Sequence, residues 1–199
     1  MSYSKITEAF KKVLTKSPTV NGRFYVLPKY GAELNTNDLE QAISTANIPN
    51  LQDGPLVAMM PPVAFGKYRS GDTTWTRYVC VLYFLRTSHV DEKGMPRNPS
   101  PSGASRVKVS SDWDEMKRIA GDTLRVMDQW FREGLNGDIP IVGTIRFASK
   151  AQDNISPLSL QGNDRRSGVK VITQLEVNEG CSITEYTANT INQLLNEQL

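Results

Sequence analysis

The sequence predicts an α+β fold: a mixed or antiparallel sheet of about five strands flanked by helices, built as one domain over residues 1–199. Three features carry that expectation. Thr73 to Thr87 is a strand-type run with large apolar residues on both faces. Trp113 to Phe131 repeats apolar residues at helical spacing. Several strand-type segments also follow one another with no helix between them, which favours antiparallel pairing.

Taken in order, Ser4 is placed to cap a first helix whose stripe is Ile6, Ala9, Phe10, Val13 and Leu14. Pro18 and the Asn21-Gly22 turn end it. Residues 24–27 form a short strand stopped by Pro28. Thr36 or Asn37 caps a second helix with Leu39, Ala42, Ile43 and Ala46 on its buried side and Pro49 at its end. Residues 56–60 are an apolar strand closed by Pro61-Pro62, since proline donates nothing to a ladder. Gly66 and Gly71 then read as a turn region. The run 73–87 follows as the central strand, because apolar residues on both faces mean cover on both sides.

Residues 88–110 differ from everything around them. They hold Gly94, Pro96, Pro99, Pro101 and Gly103 with few apolar residues. Ordering such a segment costs about 1–2 kcal/mol per residue in backbone entropy. An extended Pro/Gly/Ser-rich arm is expected here, mobile in a free subunit and ordered by a neighbouring molecule. Ser111 then opens a helix of roughly 35 Å. Asp112, Asp114 and Glu115 fall in its first turn, where the macrodipole favours negative charge. Residues 139–148 alternate as a strand and 149–166 read as a polar loop. Val169, Val171, Thr173, Leu175 and Val177 give a second long strand its buried face, opposite a mostly wet face of Lys170, Ile172, Gln174 and Glu176. Ile191, Leu194 and Leu195 suit a last helix.

Composition excludes little but bounds much. A chain of 199 residues can bury about 70% of its unfolded surface, enough for a core without staples. The net charge of +2 is too small to drive nucleic-acid or membrane binding by bulk electrostatics. The longest apolar run, Tyr78 to Leu85, is far short of the ~20 residues of a membrane helix. Residues 4–15 carry Lys5, Glu8, Lys11 and Lys12, unlike the core of a secretory signal. Cytoplasmic synthesis, with no membrane partner, is the expectation. Cys80 and Cys181 lie outside any CxxC pair, and the context favours inert reduced thiols, although spacing alone leaves a disulfide open.

Chemistry-bearing patterns are sparse. His89 is the single histidine, in the arm, and nothing supplies the base-and-orienter pair of a nucleophilic triad. No His/Cys cluster has metal-ligand spacing, and neither GxGxxG nor GxxxxGK[ST] occurs. No cofactor, no metal and no catalytic residue is expected. Asp112, Asp114 and Glu115 could be drawn as an acidic metal site, but helix-end charge explains them as well. Asn154-Ile155-Ser156 is a chance sequon. Two basic clusters remain: Lys93, Arg97, Arg106 and Lys108 in the arm, and Arg165, Arg166 and Lys170 near the last strand. They are candidate subunit or DNA-channel contacts, set against plain solvated loop charge. Trp113 and Trp130 at helical spacing read as core or subunit contacts.

Several segments in order resemble tailed-bacteriophage neck and tail-completion proteins, as in crAss-like and other Bacteroidetes phages. They are Met60-Pro61-Pro62, then TWTRYVCVLYFLR over 74–86, then WDEMKRIA over 113–120, then Pro157, Gly162, Asp164 and Arg165, the strand 168–176 and Glu179-Gly180-Cys181. The resemblance covers roughly 56–183 and implies a tail-terminator-like fold, non-enzymatic, assembled as a closed ring around the DNA channel. Sixfold or twelvefold symmetry fits such a ring. Its partners would be copies of itself and adjacent neck, portal or tail-tube proteins, with passive contact to genomic DNA, and its place would be the virion neck or tail. The insert at 88–110 departs from the pattern. The alternative is a basic-loop nucleic-acid-binding accessory protein acting through Arg97, Arg106, Lys108, Arg165 and Arg166. An enzyme with an acidic metal site built on Asp112 or Asp114 is the remaining one.

Overall fold

The central strand of the sequence is the centre of the fold. In the computed structural model, which describes residues 2–27, 39, 41–43, 54–71, 73–87, 103–133, 144–148, 153–159 and 166–178, β4 (Thr73–Thr87) pairs antiparallel with β7 (Arg166–Asn178) along the whole of β7. The register runs from Trp75↔Asn178 to Thr87↔Arg166 without a break. Gly168 is required where the two strands meet. A Cβ there would stand 1.9 Å from the carbonyl oxygen of Phe84.

The other strands decorate the two outer edges of this pair. On the β4 side, β2 (Leu56–Met59) and β3 (Val63–Ser70) lie end to end, both antiparallel to β4. Pro61-Pro62 breaks the run between them, and β1 (Phe24–Val26) adds parallel to β2. On the β7 side, β5 (Ile145–Phe147) and β6 (Asn154–Ser159) share the edge, both antiparallel. Pro157 is tolerated because β6 is an edge strand, where its missing N–H need not meet a partner. The sheet is therefore mixed and seven-stranded.

Two helices cover one face. α1 (Ser2–Lys16) and α2 (Gly103–Glu133) bring Ile6, Phe10, Met116, Met127 and Trp130 onto Tyr78, Cys80, Leu82 and Phe84 of β4. Trp130 and Phe131 stack at 5.8 Å, and Phe131 meets Phe147 of β5 at 5.7 Å. Each large side chain buried here contributes about 1.5–3 kcal/mol. A second cluster lies on the opposite face, where Leu56, Ala58, Tyr83 and Leu85 pack with Leu39 and Ile43. Burial pushes the Cys80 thiol well above its ordinary range, so it is a free but inert thiol. Cys181 lies outside the described residues. The turn after α1 forms as expected: Asn21 and Gly22 take positive φ of 47° and 75°, and Gly22 N–H donates to Leu14 O at 3.2 Å.

Several expectations change. Among the described residues the strands number seven rather than about five, because β3 and β6 lack the apolar alternation that marks a half-buried strand. β3 is exposed along nearly its whole length. The helix expected from Ser111 starts at Gly103, so residues 103–110 of the expected arm are helical. No proline follows Pro101 until Pro140, and nothing in 103–110 breaks the helix. Residues 88–102 lie outside the described residues, as do His89, the strand residues 139–143 and the last helix at 191–195. Asp112, Asp114 and Glu115 consequently stand well inside α2 rather than in its first turn, so the macrodipole does not account for them. Asp112 is buried and accepts from Ser167 Oγ at 2.8 Å, and Glu115 pairs with Arg86. Of the expected second helix, Leu39 and 41–43 are described and helical.

Candidate functional site

On the sheet face opposite α1 and α2, the described cover is the cluster around Leu39 and Ile43. Past the second core cluster, Val79, Val81, Lys170, Ile172 and Gln174 are half-buried. At the far end of that face four strands converge on one carboxylate. Register places Glu176 of β7 directly between Arg77 of β4 and Arg146 of β5. Period-2 alternation then puts all three side chains on the open face, together with Trp75 and Tyr68.

The Glu176 side chain is 1% exposed, against 42% for Arg77 and 48% for Arg146. Arg77 Nε donates to Oε1 at 2.9 Å, Arg146 Nε to Oε2 at 2.9 Å, and Tyr68 Oη to Oε2 at 2.7 Å. Arg146 Nη2 also donates to Tyr68 Oη at 2.8 Å. The guanidiniums are backed by rings, Arg146 over Trp75 at 4.1 Å and Arg77 over Tyr68 at 4.8 Å. Burial by itself would raise the Glu176 carboxyl. The bonds from Tyr68, Arg77 and Arg146, with the charge of Arg146, outweigh it and hold the group below its ordinary value. Partial burial likewise works against Arg146, and its bonds to Tyr68 and Glu176 hold it above its ordinary value. Glu176 was expected on a wet face; it is the most enclosed charge of the cluster because two arginines and a tyrosine roof it over.

This arrangement locks four strands together and sets two half-exposed guanidiniums against one carboxylate, a net positive charge of one. Arginine, tyrosine and tryptophan held in fixed geometry are the residue types that anchor protein–protein contacts. Among the described residues, no group of three or more His, Cys, Asp or Glu stands where it could hold a metal ion. None of the described helices is long and apolar enough to cross a membrane.

Of the basic residues singled out from sequence, Arg166 and Lys170 are the ones whose surroundings are described. Arg97 and Arg165 lie outside the described residues. Arg106 and Lys108 stand near the start of α2. Lys170 is half-buried on the open face, opposite Tyr83 and Ser156. Arg166 is 2% exposed, which removes it from any surface contact: it lies where β7 pairs with the end of β4 rather than in the loop before it.

Two further surface features stand at opposite edges of the sheet. On β3, Val63 and Phe65 are 43% and 49% exposed. Phe65 sits at a bulge between Ala64 and Gly66, without a partner on β4. At the other edge an open cleft of ≈ 410 Å³ lies between α2 and β5–β6, floored by Leu124, Phe147 and Ile155. No family model matches the chain, and no curated protein matches it.

Proposed function

We propose that the chain is a structural, non-enzymatic subunit that assembles with copies of itself into a closed ring. By the order of its sequence motifs, that ring is of the tail-terminator or connector kind that joins or caps a phage tail tube in the virion. The exposed edge strand β3 carries the proposal. Soluble chains blunt their open edges with charge, proline or cover. β3 has Lys67, Arg69 and a bulge as such devices, yet at its start the eight-residue strand leaves Val63 and Phe65 about half-exposed. Burying that edge against another molecule removes apolar surface from water and satisfies its outward backbone groups. A ring needs such an edge to meet a different surface on the next copy, and the sheet presents unlike surfaces at its two edges.

Native mass spectrometry and negative-stain microscopy test this, with the chain alone and mixed with virion neck proteins. A discrete multimer with a central channel is the expected result. A chain that stays monomeric at high concentration in every salt, and with those partners present, overturns it.

A further inference from the structure

We propose that Phe65 of one copy seats in the cleft between α2 and β5–β6 of the next, with Val63 beside it. The proposal rests on the assembly reading above and gives it a contact.

Phe65 is built as a projecting side chain. A β-bulge aims its extra residue away from the ladder. Neighbouring Gly66 has open space around it, since a Cβ there would meet nothing within 4 Å. The cleft offers a matching floor, with Leu124 6% exposed and Phe147 and Ile155 half-buried and packed on the main core. Its volume, ≈ 410 Å³, leaves room for an aromatic side chain and part of the strand that carries it.

The strand that carries Phe65 is basic beyond it, and the cleft rim holds two carboxylates and one guanidinium. Lys67 and Arg69 follow Phe65 on the same strand, both exposed. Asp128 and Asp153 stand at the cleft rim, Asp128 paired with Arg132 and Asp153 accepting from Thr173 Oγ1 at 2.5 Å. Arg125 also lines the cleft and is drawn to Asp122 at 3.2 Å.

Topology decides which copy fills the cleft. β3 lies on the outer side of β4, and β5 and β6 lie on the outer side of β7. With neighbouring strands about 4.8 Å apart, the β4–β7 pair stands between Phe65 and the cleft of its own chain. Knob and cleft therefore meet only between copies, and the contact joins unlike surfaces, as a head-to-tail ring requires.

Cysteine trapping tests the contact. In a Cys181→Ser background, with Cys80 left buried, Phe65→Cys and Ile155→Cys chains of distinguishable mass are mixed and oxidised. The expected product is a disulfide between the two variants, with neither linking to itself. Separately, Phe65→Glu, which alters an exposed side chain and leaves the melting temperature of the monomer unchanged, raises the concentration needed for assembly about tenfold or more. If the wild type forms a discrete multimer but the mixed disulfide is absent, or Phe65→Glu assembles at wild-type concentration, the seat is overturned while the assembly reading stands. Cleft occupation by a small apolar molecule or by the chain itself gives that same pattern. A wild type that never associates, with or without neck proteins, overturns both.

Discussion

Replacing Glu176 with glutamine tests the polar cluster most directly. Glutamine keeps the shape, removes the charge, and turns one acceptor oxygen into an N–H donor facing guanidinium donors. Glu176 accepts bonds from Arg77, Arg146 and Tyr68 at 2.9, 2.9 and 2.7 Å. Removing one partner of a fully buried pair costs about 3–5 kcal/mol. The arginine side chains here are 42% and 48% exposed, so they recover water when the carboxylate goes. That discounts the loss to about 2–3 kcal/mol. In urea, with a slope of about 2–3 kcal/mol/M, the midpoint falls by about 1 M. Arg77→Gln and Arg146→Gln each leave Glu176 with its other donors and cost about 1–2 kcal/mol. A double-mutant cycle between them returns a clear coupling energy, because both act through one carboxylate. A Glu176→Gln midpoint within about 0.5 kcal/mol of wild type would show that the carboxylate is not held as described.

Acid titration reads the same group. Its folded value lies below the unfolded one of about 4.3, so its contribution is complete above that value and is lost as pH falls through the folded value. Wild-type stability should drop more steeply below about pH 4 than that of Glu176→Gln, read by thermal melts across pH. Gly168→Ala forces a Cβ onto the Phe84 carbonyl, 1.9 Å away; it should cost about 3 kcal/mol or more and yield little soluble protein. Gly66→Ala, in open space, should change stability by no more than about 0.5 kcal/mol. Thr76 is 1% exposed and its Oγ1 has no hydrogen-bond partner among the described residues. Thr76→Val should raise stability by about 1 kcal/mol, measured by denaturant unfolding.

The parts of the fold legible in the sequence are those with strong period. The stripe Ile6, Ala9, Phe10, Val13, Leu14 marks α1, and the two-sided apolar run 73–87 marks β4 as central; both stand in the structure. β3 was illegible because an edge strand exposed along nearly its whole length needs no alternation; ladder bonds to β4 and the contacts of Tyr68 hold it. The start of α2 was misplaced because Gly103 and three nearby serines read as loop, while helix propensity there is merely adequate and packing further along decides. The cluster left a signal that was passed over. Arg77, Arg146 and Glu176 each stand among large apolar or aromatic neighbours in a strand, where an unpaired charge is too costly to keep. Their pairing needs the register of four strands, which spacing along the chain does not reveal. Arg166 was misplaced for the opposite reason. Loop charge is easily counted, yet Arg166 belongs to a strand and is buried there.

The cluster and the proposed contact are physically linked through Tyr68. β3 has little apolar packing to fix its register, and a slip of one residue would carry its side chains to the other face. Tyr68 is the half-buried residue of that strand, and its hydroxyl is tied to Glu176 and Arg146. Those bonds run from β3 over β4 and β7 to β5, so they tie the edge that carries Phe65 to the edge that carries the cleft. Tyr68→Phe removes both hydroxyl bonds and leaves the arginines on Glu176, a loss of about 1 kcal/mol. Because β3 has few other ties, that loss should appear locally. Amide exchange over residues 66–70 should quicken about fivefold, while residues 57–59 of β2, buried in the core, keep their rates. If Phe65 makes the contact between copies, the same variant should also weaken assembly without lowering the global melting temperature by more than a few degrees. Exchange that quickens equally in β2 and β3, or in neither, would mean that the edge strand is held by something other than this carboxylate.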